Sequence, residues 1–257
     1  GAGLRMTLAH TLSLRPNPDA RVPTTAMVMA AGLGKRMRPL TATRPKPLVK
    51  VAGKPLMDHA LDRLEAGGIR KVVVNVHYLA DTVEAHLAAR RCGLEFTISD
   101  ERAKLLETGG GLIKARPLLG DAPFFCVNSD NFWVDGPTET FAMMQRIWDP
   151  ARMDALLLLV PQARAYCHAG QGDFHMDANG RLSRRKPGHV APFVYIGIQI
   201  LSPSLLVDPP ADVFSTNIFW NRAIEAGRLY GVAHQGLWFD VGTPQAIPVV
   251  ESVLAHG

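Results

Sequence analysis

The chain is poor in cysteine: Cys92, Cys126 and Cys167 are the only three among 257 residues. They are widely spaced and form no C-x-x-C, which excludes a disulfide framework and a zinc ribbon and makes a reducing, cytoplasmic setting the expectation. No apolar run approaches the roughly 20 residues that span a bilayer, so no membrane association is expected. Residues 1–25 lack the continuous apolar core of a secretory leader. With Gly1-Ala2-Gly3 ahead of Met6, they read as a flexible N-terminal arm or tag. The nine histidines never take HxxxH or HExxH spacing, which argues against a helical zinc site. There is no internal repeat, no low-complexity linker and no Lys/Arg run interleaved with aromatics. Nucleic-acid binding is therefore not expected. The formal charge of +5 instead suits a small polyanionic ligand.

Hydrophobic residues make up 47% and charged residues 20%, the balance of a globular enzyme large enough to bury its own core. Apolar runs alternate with helix-like segments, the pattern of a mainly parallel sheet. Strands are expected at 26–30, 72–76, 94–98, 124–128, 155–160, 194–201 and 236–241. Helices are expected from Leu56 to a stop at Gly67-Gly68, over 80–89, near 112–115, near 138–148, near 216–226 and near 244–255. A Gly- and Pro-rich loop covers Gly32 to about Pro55. Residues 162–192, with turn signals at Gly170, Gly172, Asn179-Gly180 and Pro187-Gly188, read as a small antiparallel insertion. One domain over residues 26–257 is the expectation.

The strongest local feature is Ala30-Ala31-Gly32-Leu33-Gly34-Lys35-Arg36-Met37-Arg38-Pro39-Leu40-Thr41. Glycines directly after a buried strand let a backbone approach a phosphate, and three cations follow. Lys46 stands between Pro45 and Pro47, which stiffen the chain around it. Two phosphate motifs are excluded. Met29 stands five residues before Gly34, where a Walker loop needs its first glycine, and Met37 stands where the dinucleotide fingerprint needs its last. Asp130 follows the apolar run Phe124–Val127, so it falls at a strand's carboxyl end, where ligands of open α/β sheets bind. Asp240 lies in Leu237-Trp238-Phe239-Asp240-Val241-Gly242-Thr243. Two aspartates from distant parts of the chain meet the preference of Mg2+ for one or two carboxylates. Each aspartate taken alone is more often a cap or turn residue than a ligand.

These strings together resemble the sugar-1-phosphate nucleotidyltransferases. That family carries A-G-x-G-x-R-[ML]-x-P-L-T after a strand, then P-K-P, then an Asp after an apolar strand, then W-x-D-[VI]-G-T. The resemblance implies a Rossmann-like α/β fold of the GT-A type, with a mainly parallel sheet flanked by helices and a small antiparallel β insertion. It implies catalytic roles for Arg36 and Lys46, and nucleotide contacts from Ala31, Gly32, Gly34, Lys35, Gly109, Gly110 and Asn128. It implies sugar contacts from Glu107, Asp173 and Gly197, and Mg2+ held by Asp130 and Asp240. Ser129 departs from the commoner glycine before that first aspartate. Leu106-Glu107-Thr108-Gly109-Gly110-Gly111 and Gly170-Gln171-Gly172-Asp173-Phe174 resemble the uridylyltransferase subgroup that acts on N-acetylmuramate α-1-phosphate in peptidoglycan recycling. UTP and that sugar phosphate are thus the expected substrates.

Within the same chemistry, GTP with mannose-1-phosphate or dTTP with glucose-1-phosphate is the alternative. A non-catalytic regulator that binds sugar nucleotides is the alternative of another class. Several features stay open at this level. Arg184, Arg185, Lys186 and His189 read as a cationic wall or as a solvated turn. Asn75, His77 and Tyr78 read as cleft residues or as a polar loop tip, and Asp135 as a supporting acid or a bystander. No hexapeptide repeat follows Asp240, so the acyltransferase half carried by many relatives is not expected.

Overall fold

The computed structural model describes residues 23–256. The expected N-terminal arm therefore lies, as far as residue 22, outside the described residues. In chain order the elements are β1 (Thr25–Met29), the hairpin β2 (Lys50–Val51) and β3 (Lys54–Pro55), α1 (Leu56–Ala66), β4 (Lys71–Val76), α2 (Ala80–Ala89), β5 (Glu95–Asp100), α3 (Glu107–Leu119), β6 (Phe124–Asn128), β7 (Asn131–Val134), α4 (Thr140–Ile147) and β8 (Ala155–Pro161). They continue with β9 (Ala165–Tyr166), β10 (Phe174–Met176), β11 (Leu182–Arg184), β12 (Phe193–Leu201), α5 (Asn217–Glu225), β13 (Leu229–Ala233), β14 (Leu237–Asp240) and α6 (Ala246–His256).

The main sheet has the order β5-β4-β1-β6-β12-β8-β13. The β5-β4-β1-β6 block is parallel, and so is the pair β8-β13. Strand β12 runs antiparallel to β6 and to β8. The protein is thus a Rossmann-like mixed sheet with a mostly parallel core, flanked by helices. Strand alternation puts successive side chains into two different cores. Ala26, Val28, Val72, Val74, Phe125 and Val127 pack with Leu61 of α1, Val83 of α2 and Phe141 of α4. Met27, Val73, Phe124 and Cys126 pack on the other face with Leu112 of α3 and Phe219 of α5. A third cluster joins Met37 of the glycine loop to Phe132, Phe239 and Val250 of α6.

Residues 162–192 hold the expected antiparallel pair, β10 with β11, and it is joined to the main sheet. Strands β10 and β11 extend the main sheet through Phe174 opposite Phe193. Strand β9 joins β14 in a second sheet of order β7-β14-β9. Two elements differ from the sequence reading in kind. The loop expected over Gly32–Pro55 contains the β2–β3 hairpin and two 3-10 turns, Lys35–Met37 and Lys46–Leu48. The helix expected near 112–115 is 13 residues long and begins at Glu107.

Candidate active site

After β1 the chain passes to β4 and β5 on one side, then crosses back to β6 on the other. The crevice at such a switch point is the ligand site of open α/β sheets. Local hydrogen bonds end the strands there. The Ala30 N–H donates to Asn75 Oδ1 at 2.7 Å instead of continuing a ladder. The Met29 carbonyl accepts from Ser129 N at 3.2 Å and from Ser129 Oγ at 2.7 Å, fastening β6 to β1. Ser129 is absent from the left-handed region, so no glycine is required at that position. The resulting cavity of about 260 Å³ is lined by Met29, Ala30, Ala31, Gly32, Lys46, Pro47, Asn75, Leu105, Glu107, Thr108, Asn128, Ser129 and Asp130.

Of the residues assigned a site role by the resemblance, Ala31, Gly32, Lys46, Glu107, Asn128 and Asp130 therefore line one cleft, and Asn75, left open by the sequence, lines it with them. Lys46 starts a 3-10 turn and donates from Nζ to Asp130 Oδ2 at 2.7 Å, with its side chain only 13% exposed. The other loop cations point elsewhere. Gly34, at φ 63, turns the chain, and its carbonyl accepts from Thr41 Oγ1 at 2.8 Å. Lys35 lines a neighbouring hollow of about 320 Å³ with Arg38 and Tyr78. Arg36 is exposed. Its guanidinium lies against Gly242, where an added Cβ would come within 2.8 Å of either terminal nitrogen. Arg36 thus sits beside the strand end that carries Asp240 rather than in the cavity wall.

The second sheet brings the two aspartates into one neighbourhood. Strand β7 begins at Asn131, directly after Asp130, and its ladder partner on β14 is Asp240. Directly opposed residues of an antiparallel pair have Cα atoms about 4.5–5.5 Å apart. Asp240 Oδ2 lies 3.1 Å from His168 Nδ1, and the His168 ring leans on Trp238. The donor set is two carboxylates, one of them already holding an ammonium group. Among the described residues, no group of three or more His, Cys, Asp or Glu converges on a metal position. That chemistry fits a hard cation whose shell is completed by water and phosphate oxygens, and it does not fit an all-protein cage.

The remaining expected residues act at a distance from the cavity surface. Gly109 and Gly110 are buried, and both of their N–H groups donate to the Phe214 carbonyl, at 2.9 and 3.2 Å. An added Cβ on Gly109 would lie 2.5 Å from the Phe214 ring, and one on Gly110 would lie 2.2 Å from the Asp212 carbonyl oxygen. Close packing of α3 thus occupies these glycines, and the residues of that segment that reach the cleft are Leu105, Glu107 and Thr108. Gly197 stands in the irregular part of β12, between Tyr195 and Gln199. Its φ of 80 suits glycine, and a Cβ there would sit 1.8 Å from Asn131 Nδ2. Asp173 Oδ2 accepts from Tyr195 N at 2.8 Å and so pins the same bulge from the surface.

Several neighbours carried no local signal in the sequence. A second hollow of about 200 Å³ shares Met29, Thr108 and Asn128 with the cleft and adds Cys126, Tyr195, Gln199 and Trp220. Its residues come from β1, α3, β6, β12, α5 and the loop before α5, so only the tertiary fold assembles them. Arg184 lies over Phe174 and Trp220 and donates to Asn217 and Asn221. Arg185 is bonded to Gln171 and to the His189 carbonyl. Asp135 is taken by Arg63 at 3.0 Å and lies outside the cleft lining. His77 and Tyr78 anchor loops through the carbonyls of Glu101 and Thr41.

The family profile for nucleotidyl transferases matches residues 25–255, a span that takes in every cleft residue. The chain belongs to the nucleotidyl transferase family. Within that family it is 46% identical over 240 residues to an N-acetylmuramate alpha-1-phosphate uridylyltransferase of Caulobacter vibrioides, covering 92% of this chain and 99% of that protein. A protein of the same name from Neisseria meningitidis serogroup B is 36% identical over 220 residues, covering 85% and 93%. Among solved folds, a UDP-glucose pyrophosphorylase complexed with UDP-glucose superposes with a TM-score of 0.74 at 13% identity, over 91% of this nucleotidyl transferase and 99% of that chain. This last likeness is one of fold alone.

Proposed function

We propose that this nucleotidyltransferase transfers UMP from UTP to N-acetylmuramate α-1-phosphate, releasing pyrophosphate. The observation that carries the reading is the convergence of Lys46 and Asp130, 2.7 Å apart, in a cleft lined also by Ala31 and Gly32 of the glycine loop and by Leu105, Glu107 and Thr108. The 46% identity to a uridylyltransferase of that sugar over nearly the whole of both chains supports the choice of substrates.

Attack of the sugar phosphate oxygen on the α-phosphorus builds negative charge on the equatorial oxygens and on the departing pyrophosphate. The attacking oxygen is already an anion, so no protein nucleophile is needed and positioning with fixed charge can carry the step. Lys46, largely covered at the cleft wall, is pre-aimed to meet that charge. Ala31 and Gly32 hold the backbone close to the phosphates. Arg36, beside Gly242, is assigned to the pyrophosphate side. Asp130 and Asp240 would hold Mg2+, which supplies positive charge against the phosphates. Leu105, Glu107, Thr108 and Asn128 line the part of the cleft assigned to base and sugar. Gly197 and Asp173 shape the bulge behind it. Among the described residues no helix is long and apolar enough to cross a membrane. The free state of Cys92, Cys126 and Cys167 supports a reducing, cytoplasmic setting.

UDP-sugar formation from these two substrates should require Mg2+. Asp130→Asn and Asp240→Asn should each lower turnover by roughly a hundredfold or more, because a stabiliser of developing charge is lost. Near-normal rates in both variants at saturating Mg2+ would overturn the metal assignment.

A further inference from the structure

One charged group near the cleft takes no part in the chemistry above. Glu101, at the end of β5, is 0% exposed. Two neutral donors satisfy its carboxylate: Asn75 Nδ2 reaches Oε2 at 2.8 Å, and the Leu106 N–H reaches Oε1 at 3.0 Å. Asn75 passes the link onward, its Oδ1 accepting from Ala30 N at 2.7 Å. The three bonds form one relay across the cleft floor. At one end is Ala30, the root of the glycine loop. At the other is Leu106, between the cleft residues Leu105 and Glu107. Gly111 leaves the relay room, since a Cβ there would lie 3.1 Å from Glu101 Oε2 and 3.2 Å from Asn75 Nδ2. The relay also ends where the backbone is strained: Glu107 opens α3 at φ 59, a conformation that persists only where its surroundings over-determine it. A buried carboxylate is costly unless its hydrogen bonds are complete, so this one marks a place where geometry matters.

We propose that Glu101 is a positioning residue for nucleotide binding, its carboxylate fixing the distance between the wall that reads the base and the wall that holds the phosphates. The inference rests on the reading of the cleft as the nucleotide site. UTP reaches both walls at once, its phosphates at the glycine loop rooted at Ala30 and its base at the Leu105–Thr108 wall; the sugar phosphate meets the second wall but not the glycine loop, so it does not sense the distance between the two, and the two substrates must respond differently. The polarity of the relay is also fixed. A carboxylate at 101 offers an acceptor to each of two donors. An amide there would set its NH2 against one of them.

The test is a swap of polarity. Glu101→Gln should raise the KM for UTP roughly tenfold or more, as expected for a buried donor left unsatisfied. The KM for the sugar phosphate should stay within about threefold of wild type, and kcat should change little. Asn75→Asp alone should fail in the same direction, with carboxylate facing carboxylate. The double variant Asn75→Asp/Glu101→Gln restores all three bonds and the net charge, because the new amide donates to the new carboxylate while the Ala30 and Leu106 N–H groups keep acceptors. Its KM for UTP should lie well below that of either single variant. A merely structural Glu101 would lower the melting temperature and leave the KM for UTP unchanged below it; that result, or additive defects in the double variant, overturns the proposal. If Glu101→Gln does not fold, a folded double variant with near-wild-type KM supports the relay. A double variant that stays unfolded, or folds with a raised KM, overturns it. Wild type inactive with every nucleotide defeats the functional reading and this inference together. Wild-type turnover with an unchanged KM in Glu101→Gln defeats this inference alone.

Discussion

Lys46 and Asp130 are legible as candidates because the strings that hold them resemble those of a known family; a lysine between prolines is distinctive in itself, but an aspartate closing an apolar strand is by itself more often a cap or turn residue. The relay through Asn75 and Glu101 is not legible, because its partners stand 45 and 26 residues apart and no local pattern marks a buried glutamate. Arg36 was legible as a cation of the loop, yet its direction depends on the distant Gly242. Two predictions belong to single residues. Burial pushes the Cys126 thiol up to about 12, so it carries almost no thiolate near neutral pH. Mass spectrometry after brief native alkylation at pH 8 should find exposed Cys167 labelled and Cys126 spared; prompt labelling of Cys126 would contradict its place inside the sheet. His234 is 1% exposed. Its Nε2 serves the carbonyls of Val134 and Leu237, both at 3.1 Å, while Nδ1 is buried without a partner.

That arrangement holds His234 neutral. Desolvation lowers its pKa below 6.5, against the opposing pull of the two backbone carbonyls. Below about pH 6.5 the unfolded chain therefore binds a proton that the folded chain refuses, and stability must fall as pH falls towards the lowered folded value. His59 shifts in the same direction, chiefly by burial. Melting temperature should thus decline from pH 7.5 to pH 5, and His234→Gln should flatten part of that slope. A slope unchanged in the variant would remove His234 from the account.

Among the elements, the buried parallel strands were the easiest to read, because apolar runs such as Phe124–Val127 have few alternatives. Helix α2 was read at its observed bounds. The short strands β2, β3 and β7 carry no such signal, being four residues or fewer and defined by partners rather than by pattern. Strand β13 has five residues and is sealed by its parallel neighbour β8. Helix α3 was read too short because three consecutive glycines lower helix propensity, by about 1 kcal/mol each relative to alanine. Packing overrides propensity there, which yields a prediction with a definite sign. Gly110→Ala should stabilise the helix by about 1 kcal/mol on propensity alone. The added Cβ would lie 2.2 Å from the Asp212 carbonyl oxygen, a backbone atom that cannot swing aside. Urea denaturation should show net destabilisation of more than about 1 kcal/mol; a more stable variant would refute the packing explanation.

For the whole molecule, topology decides where chemistry occurs. The crossing from β5 back to β6 opens the switch-point crevice, and the β7–β14 ladder folds the chain's last strand onto Asn131, next to Asp130. Separation in sequence is thus converted into proximity by one antiparallel pairing, which is why two aspartates 110 residues apart (240 minus 130) lie in one neighbourhood. The parallel block was inferable from the order of apolar runs, and a shared role for the two aspartates only from the family resemblance; the β7–β14 ladder that brings them together has no signal in the sequence. The absorption of residues 162–192 into the two sheets was not inferable either, because short polar strands carry little pattern of their own.

The central claim is the pairing of this cleft with UTP and an N-acetylmuramate phosphate. The most direct measurement is pyrophosphate release by the purified protein with UTP, GTP and dTTP, each against N-acetylmuramate α-1-phosphate, mannose-1-phosphate and glucose-1-phosphate. The account predicts that kcat/KM for UTP with N-acetylmuramate α-1-phosphate exceeds every other combination by roughly tenfold or more, a selectivity within reach of one or two well-placed pocket contacts. A higher kcat/KM for GTP with mannose-1-phosphate or dTTP with glucose-1-phosphate, or no pyrophosphate from any pair, would contradict it.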